Sequence, residues 1–188
     1  MVMRYFFIII FFLFVSTLVG HPHEYVDVKL NIGLDKSGLN KIFAKWIFDD
    51  MTSQIIIGDY DKNSNNILED LEKVNIENDN FKSLKEYNLF ASLEMDGKKI
   101  DTKEYSNFDC SVENYKIVFS FDINLASLES KMFNNLKFYF GEDTNYTAYF
   151  LNIEDVTIKN ESLKEVDCSL EKVPFGYTMC DQLSITFK

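Results

Sequence analysis

The chain has 188 residues and a formal net charge of −11, from 30 acidic against 19 basic side chains. This acidic excess argues against nucleic-acid binding, which needs a basic surface to neutralise phosphates. Only two histidines and three cysteines are present, which leaves little material for nucleophilic or multi-histidine catalysis. We therefore expect one globular domain that is not an enzyme.

The first twenty residues differ in composition from the remainder. Arg4 precedes an almost continuous aromatic and aliphatic run over 5–15, and small residues follow, ending at Gly20. This order is typical of a secretory signal peptide, and the run is short for a membrane span. We predict a signal peptide over 1–20, cleavage after Gly20 and export to the periplasm. An uncleaved N-terminal anchor is the alternative.

Alternating apolar and polar residues predict antiparallel β-structure after this segment. Residues 26–34 and 42–48 alternate on either side of a turn over 35–38, which is typical of a hairpin. Asp96-Gly97 separates strands predicted over 89–95 and 98–100, and Asp-Gly is a strong hairpin signal. Further strands are predicted over 115–123, 136–140, 147–153 and 183–187.

Between the first two hairpins the pattern changes to that of a helix. Helical segments are predicted over 51–59 and 69–87, with Asp49 or Asp50 capping the first. We expect an α+β domain over 21–188, made mainly of antiparallel, sandwich-like sheets. An EF-hand-like helix–loop–helix insert is expected at about 50–87.

The insert contains a twelve-residue segment, 61–72, with the oxygen pattern of an EF-hand loop. Calcium takes about six to eight oxygen ligands, which explains why this chemistry needs so many oxygen-bearing residues at fixed spacing. The predicted Ca²⁺ ligands are the side chains of Asp61, Asn63, Asn65, Glu69 and Glu72, with the carbonyl of Ile67.

Two features of this segment lower the expected calcium affinity. Asn66 stands where glycine is usual for the sharp turn, although asparagine tolerates a left-handed backbone better than most residues. The neutral amides of Asn63 and Asn65 leave three charged ligands, which predicts a dissociation constant of about 10⁻⁴–10⁻³ M. Leu68 is expected to pack inward. A polar helix–loop–helix that no longer binds an ion is the alternative.

Both histidines lie in His21-Pro22-His23, at the predicted new amino terminus. The α-amine and imidazole of His21 form a natural chelate for a late transition metal, and His23 adds a second imidazole. A carboxylate from Glu24, Asp49 or Asp50 could complete this site. A solvated, frayed terminus is the alternative.

The cysteines are interpreted in the light of export. An oxidising compartment favours a disulfide, and Cys168 and Cys180 are the natural pair. Closing so short a loop contributes about 3 kcal/mol in the chain-entropy model. Cys110 is then either buried or free. The sequence has no C-x-x-C spacing, so thiol redox chemistry and a structural zinc site are poorly supported.

The sequence resembles the DUF1007 family of exported bacterial proteins, and the resemblance covers nearly all of the mature chain. It departs from the family pattern at Asn63, Asn65 and Asn66, where relatives more often carry aspartate or glycine. Tyr149 also stands where an acid is common. The resemblance is carried by His21-Pro22-His23, the strand 26–34, Trp46-x-Phe48-Asp49-Asp50, Asp59-Tyr60-Asp61 and Asp143…Tyr146…Phe150.

The resemblance implies a function in divalent-metal transport, because family members accompany, or are fused to, nickel- or cobalt-type permeases. We therefore expect a non-enzymatic periplasmic accessory of an inner-membrane metal permease, with Ca²⁺ in the loop. An envelope interaction module, in which the loop only stabilises the fold, is the second hypothesis. Carried over by position, the candidate ligands for Ni²⁺, Co²⁺, Zn²⁺ or Cu²⁺ are His21, His23, Asp49 and Asp50.

Overall fold

A computed structural model describes residues 23–125, 128, 132–144, 146–176 and 178–188. The predicted signal peptide and His21 lie outside these residues. The described helices are α1 (Asp50–Tyr60) and α2 (Asp70–Ile76), followed by a π-helical turn (Glu77–Phe81) and a 3₁₀ segment (Lys82–Phe90). The described strands are β1 (Glu24–Asp35), β2 (Gly38–Phe48), β3 (Ala91–Met95), β4 (Lys98–Ile100), β5 (Tyr105–Glu113), β6 (Lys116–Ile123), β7 (Asn135–Phe140), β8 (Thr147–Asn160), β9 (Val166–Phe175) and β10 (Thr178–Phe187).

The strands form two five-stranded sheets. Sheet A has the order β5-β6-β2-β1-β8, and sheet B has the order β4-β3-β7-β10-β9. Strands β1 and β8 pair in parallel, while the other described pairs are antiparallel. The prediction of mainly antiparallel sheets is therefore confirmed.

The core lies between the two sheets. Side chains alternate across a strand, so every second residue of β1, from Val26 to Leu34, faces inward and is fully buried. Trp46 of β2 contacts Phe140 of sheet B, with ring centroids 5.2 Å apart and planes nearly perpendicular. Burial of such rings supplies much of the apolar area that stabilises the fold.

The helical insert covers one side of sheet A. Helix α1 packs on β6 and helix α2 lies beside β5. Ile56 and Ile76 are buried and belong to the same apolar cluster as the sheets. The insert is therefore part of the domain core, and its position places the loop 61–69 at the margin of sheet A.

Two strands and one irregular segment differ from the sequence-based expectation. Strands β5 and β9 were not predicted, and both lie at sheet edges, where fewer side chains are buried. Regular helix ends at Ile76 rather than continuing to residue 87. Leu89, expected in a strand, adopts φ of 55° and precedes β3.

The predicted disulfide between Cys168 and Cys180 is wrong in this structure, where the three described cysteines are free. The two residues lie on neighbouring strands but far out of register, because Cys168 faces Ile185 and Cys180 faces Val173. Facing positions across a strand pair are needed to bring two sulfurs within bonding distance. Proximity along the chain was therefore a misleading guide.

Among the described residues, none of the helices combines the length and apolar composition required to traverse a bilayer.

Candidate functional site

Helix α1 fixes the start of the loop. Ser53, on its buried side, donates its hydroxyl to the Phe48 carbonyl and accepts the Ile117 N–H at 3.0 Å. These bonds hold the helix against β2 and β6. At its other end the helix closes with a bond from the Asp61 N–H to the Ile57 carbonyl at 2.9 Å. Asp61 therefore begins the loop from a fixed position.

The Asp61 carboxylate is the inner end of the loop. Asp61 is 4% exposed, although the six following residues are exposed. Oδ1 accepts the Asn65 N–H at 3.2 Å and Oδ2 accepts the Asn66 N–H at 2.8 Å. The chain therefore curls around this carboxylate, and each oxygen keeps a lone pair for a further partner.

The curl requires a left-handed backbone at two positions. Ser64 has φ of 57° and Asn66 has φ of 59°. Asn66 therefore takes the conformation for which glycine is usual, as asparagine can with a smaller penalty than most residues.

Three polar side chains converge above Asp61. Asn63 Oδ1 accepts the Asn65 N–H at 3.1 Å, and Asn65 Oδ1 accepts the Ile67 N–H at 2.7 Å. The Nδ2 groups of both asparagines donate to Glu69 Oε1, at 3.0 and 3.1 Å. Hydrogen bonding with Glu72, followed by these two amides, lowers the pKa of Glu69 to about 2. Glu69 is therefore an ionised, oriented carboxylate.

Glu72 joins both ends of the loop. Its Oε1 accepts the Lys62 N–H at 2.9 Å, and its Oε2 accepts the Glu69 N–H at 3.0 Å. With the reciprocal bond to Glu69 this makes a capping box at the start of α2. Both oxygens of Glu72 therefore face the loop, as a bidentate ligand at position 12 must.

Leu68 packs inward, as predicted, and belongs to the core cluster. The side chain of the preceding residue, Ile67, is exposed. Lys73 of α2 pairs with Asp109 of β5 at 2.7 Å, which ties the second helix to sheet A.

The predicted transition-metal residues are arranged differently. Asp49 caps α1 by accepting the Thr52 N–H at 2.9 Å, and its second oxygen accepts the Tyr25 N–H at 2.8 Å. Partial burial acts to raise the pKa of Asp49, but these hydrogen bonds outweigh it and the pKa is lowered. Its carboxylate is therefore occupied with structural bonds.

The other two described candidates point to solvent. Asp50 is largely exposed and lies 3.5 Å from Lys116, and the exposed His23 ring packs 5.5 Å from the Tyr146 ring. Within the described part of the chain, no three His, Cys, Asp or Glu side chains form a set that could hold a metal ion. His21 lies outside that part.

Two carboxylates near His23 were not predicted as a pair. Glu142 is buried and accepts the N–H groups of Tyr146 and Thr147 at 3.0 and 2.9 Å. Glu24 accepts the Thr147 hydroxyl at 2.9 Å. Burial raises the pKa of Glu24, the Thr147 hydrogen bond opposes this, and the charges of Asp49 and Glu142 raise it further. The glutamate at 142 carries no spacing signal, so only the β7–β8 fold reveals it.

Tyr149 of β8 is buried. Its ring packs 5.1 Å from Trp46 and 5.7 Å from Phe140, inside the core. Burial, with the charges of Glu24 and Glu142, raises its pKa well above the usual value. The side chain is therefore a neutral phenol that contributes packing.

The fold and the loop define a class: a two-sheet β-protein with a helix–loop–helix insert on one sheet. The family model described as a protein of unknown function, DUF1007, matches residues 6–175, which is most of the chain. The protein therefore belongs to the DUF1007 family, as its resemblance predicted. A comparison with curated proteins gives no match.

Proposed function

We propose that this protein is an exported, non-enzymatic calcium-binding protein in which Ca²⁺ bridges α1 and α2 through residues 61–72. The observation that carries the proposal is the buried Asp61 carboxylate, around which the loop curls. Burial of a carboxylate is costly unless charge is compensated, and a bound cation would supply that compensation.

The proposed ligands come from six residues of the loop. Asp61, Asn63 and Asn65 would give side-chain oxygens and Ile67 its carbonyl, while Glu69 binds directly or through a water molecule. Glu72 binds through both oxygens. Three carboxylates and hard oxygen donors favour Ca²⁺ over softer metals. The low charge supports a dissociation constant of about 10⁻⁴–10⁻³ M.

Binding requires only local rearrangement of side chains. The Nδ2 groups of Asn63 and Asn65 now donate to Glu69, and Glu69 must release them to face the ion. The bonds that the Asp61 and Glu72 carboxylates accept from backbone N–H groups can persist, because each oxygen retains a lone pair. Calcium would then replace an amide–carboxylate network with ion coordination and rigidify the loop.

Thermal unfolding with and without Ca²⁺ tests the proposal. About 10 mM Ca²⁺ should add about 1.4–2.7 kcal/mol at the expected affinity, by binding the native state alone. Glu72→Gln should abolish the gain, whereas Asp70→Asn, a neighbouring carboxylate outside the ligand set, should retain it. An equal gain in wild type and Glu72→Gln would contradict a site in this loop.

A second proposed function is delivery of Ni²⁺, Co²⁺, Zn²⁺ or Cu²⁺ to a membrane permease. It is supported by the carboxylates of Glu24, Asp49 and Glu142, whose charges interact, and by the position of Glu24 directly after His23 in the sequence. An ion held by His21 and His23 would lie next to this negative potential.

Nickel titration of the chain beginning at His21 tests this second function. Binding at about micromolar affinity should be lost in a His21→Ala/His23→Ala double variant and kept in Glu72→Gln. Calcium binding without nickel binding would favour an envelope module whose loop stabilises the fold.

A further inference from the structure

A concave site beside sheet B is lined by residues other than those of the loop 61–72. It is a cleft of about 420 Å³ between the end of the 3₁₀ segment and strands β3, β4, β7 and β9. Four of its lining side chains are aromatic: Tyr87, Phe90, Tyr139 and Phe175. Ligand sites commonly have this size and combine ring faces with a few polar groups. We name it the aromatic cleft.

The rings form two pairs. Tyr87 stacks on Phe90, with centroids 5.7 Å apart and planes 24° apart, and remains 61% exposed. Tyr139 meets Phe175 edge to face at 5.4 Å. A tyrosine held flat against a neighbouring ring while its outer face meets water is a ready surface for a ligand.

The backbone that presents the first pair is unusual. Asn88, Leu89 and Phe90 are consecutive residues with φ between 51° and 55°. Leucine and phenylalanine rarely adopt this left-handed conformation, because Cβ crowds the carbonyl oxygen. Such conformations persist where the surroundings enforce them, and they concentrate at functional sites.

Three hydrogen bonds from two residues hold this turn. The buried Thr102 hydroxyl donates to the carbonyls of Asn88 and Ala91, at 3.0 and 2.8 Å. The Gly141 N–H donates to the Phe90 carbonyl at 2.8 Å. The left-handed turn is thus fixed from β7 and from the segment before β5, and it holds the Tyr87 pair in place.

Gly141 also positions the second ring pair. A Cβ atom at this residue would lie 2.6 Å from Cys180 Sγ and 3.0 Å from Phe175 Cδ1. A side chain at residue 141 would therefore displace Phe175 or Cys180 from its present position. The left-handed turn therefore holds the first ring pair, and the glycine at residue 141 leaves room for the second.

Polar groups rim the rings. The lining residues include the polar Asn88, Ser92, Lys99 and Asp101, of which Asp101 also pairs with Lys103 at 2.9 Å. Ser92 lies directly opposite Tyr139 in the β3–β7 register, so a hydroxyl stands beside an aromatic face. Donors and acceptors are both present, as recognition of hydroxyl groups requires.

We propose that the aromatic cleft binds a saccharide. A sugar ring has an apolar C–H face, which suits the negative face of an aromatic ring, and an edge of hydroxyl groups, which suits amide and carboxylate partners. One ring stacks on Tyr87 while its hydroxyls bind Asn88 and Ser92. A purely apolar ligand would use the rings and leave the polar rim without a role.

Amide-detected NMR of the protein purified after export tests this, with cellotetraose and chitotetraose as probes. We expect one of them, at about 10 mM or less, to shift the amide signals of Asn88, Ser92 and Lys99. Tyr87→Ala should weaken that binding about fivefold or more. The matched control Tyr115→Ala removes a 73% exposed tyrosine from the β5–β6 turn in sheet A and should leave it unchanged.

Other outcomes overturn the proposal. If neither tetrasaccharide shifts these signals, or if Tyr87→Ala and Tyr115→Ala bind as wild type, the cleft is not a saccharide site. A proline decapeptide is the competing probe, since aromatic grooves also bind polyproline helices. Shifts with that peptide alone would make the cleft a peptide groove. Ser92→Ala gives a second test that leaves the rings intact.

Discussion

Glu72 Oε1 accepts the backbone N–H of Lys62 at 2.9 Å, across ten residues of sequence. The bond closes the loop even without an ion, because its other oxygen accepts the Glu69 N–H at the start of α2. One carboxylate thus connects the end of α1 with the beginning of α2. The loop is therefore closed at both ends by its own hydrogen bonds.

Replacing this carboxylate should destabilise the protein in the absence of calcium. Glu72→Ala removes the capping box and leaves two N–H groups without their acceptor, so the free energy of unfolding should fall by about 1–2 kcal/mol. Urea unfolding in excess chelator measures the change. Glu86→Ala, an exposed glutamate in the 3₁₀ segment, is the control and should be nearly neutral.

Stability should depend on pH through Glu24. Burial raises the pKa of Glu24 in the folded state above the value of 4.5 expected in the unfolded chain. Between these two pKa values the folded protein keeps a proton on Glu24 that the unfolded chain has released. The stabilisation from this proton is complete below the unfolded pKa and disappears as pH rises through the folded pKa. Glu24→Gln keeps a neutral side chain at every pH.

The variant should therefore gain stability relative to wild type between about pH 4 and pH 7. Melting temperatures of Glu24→Gln and wild type across this range measure the difference in stability. The other carboxyl groups are present in both proteins, so the comparison isolates Glu24. A constant difference between Glu24→Gln and wild type would contradict the raised pKa.

The core aromatic cluster should dominate stability. Phe140 contacts the rings of Trp46, Phe121 and Tyr149 across the two sheets, so Phe140→Ala should cost about 3–5 kcal/mol. Trp46 is the single tryptophan, and its fluorescence reports unfolding of this cluster directly. Phe150→Ala removes a partly exposed ring and should cost far less; equal losses would be inconsistent with this core.

Two glycines should respond to alanine in opposite directions. Gly58 lies within α1 with open space around its Cβ position, so Gly58→Ala should stabilise by about 0.5–1 kcal/mol. Gly141→Ala should destabilise by about 1–3 kcal/mol, because the new methyl group meets Cys180 and Phe175. Urea unfolding of both variants measures the two changes in the free energy of unfolding. A Gly141→Ala variant as stable as wild type would show that Cys180 and Phe175 can move to accommodate the methyl group.

The cysteines should behave as three thiols. Burial and the Asp109 charge raise the pKa of Cys110 to about 12, and burial and the Asp181 charge raise that of Cys180 to about 11. Thiol reagents should therefore modify the half-buried Cys168 first. In denaturant without reductant all three should react. Recovery of a single thiol would instead show that Cys168 and Cys180 are joined.

The elements that could be predicted from the sequence are those whose pattern is local, such as the alternation of a strand or the spacing of a loop. Strand β1 buries every second residue from Val26 to Leu34, so its period is unmistakable. The loop carries its ligand spacing locally, and Leu68 is buried as expected. Leu89 was mistaken for strand because a tertiary bond from Thr102, remote in sequence, helps to fix the left-handed turn around it.

Residues brought together by tertiary structure escaped prediction. Glu24 and Glu142 are far apart in the chain, and only the β1–β8 pairing makes them neighbours. The aromatic cleft likewise gathers Tyr87, Tyr139 and Phe175 from three separate elements. A single phenylalanine or tyrosine in a predicted strand is normally interpreted as a core residue. Neither its spacing nor the composition shows which face of the sheet it occupies.

The parallel pairing of β1 with β8 has a consequence for how the molecule is made. β1 is the earliest described strand to be synthesised, yet one of its two partners ends at Asn160, close to the end of the chain. Its edge stays open while more than half of the domain is still being produced, and loop closure over that distance is slow. Nascent chains should thus depend on a holding factor or on late, concerted folding to protect that edge from other chains.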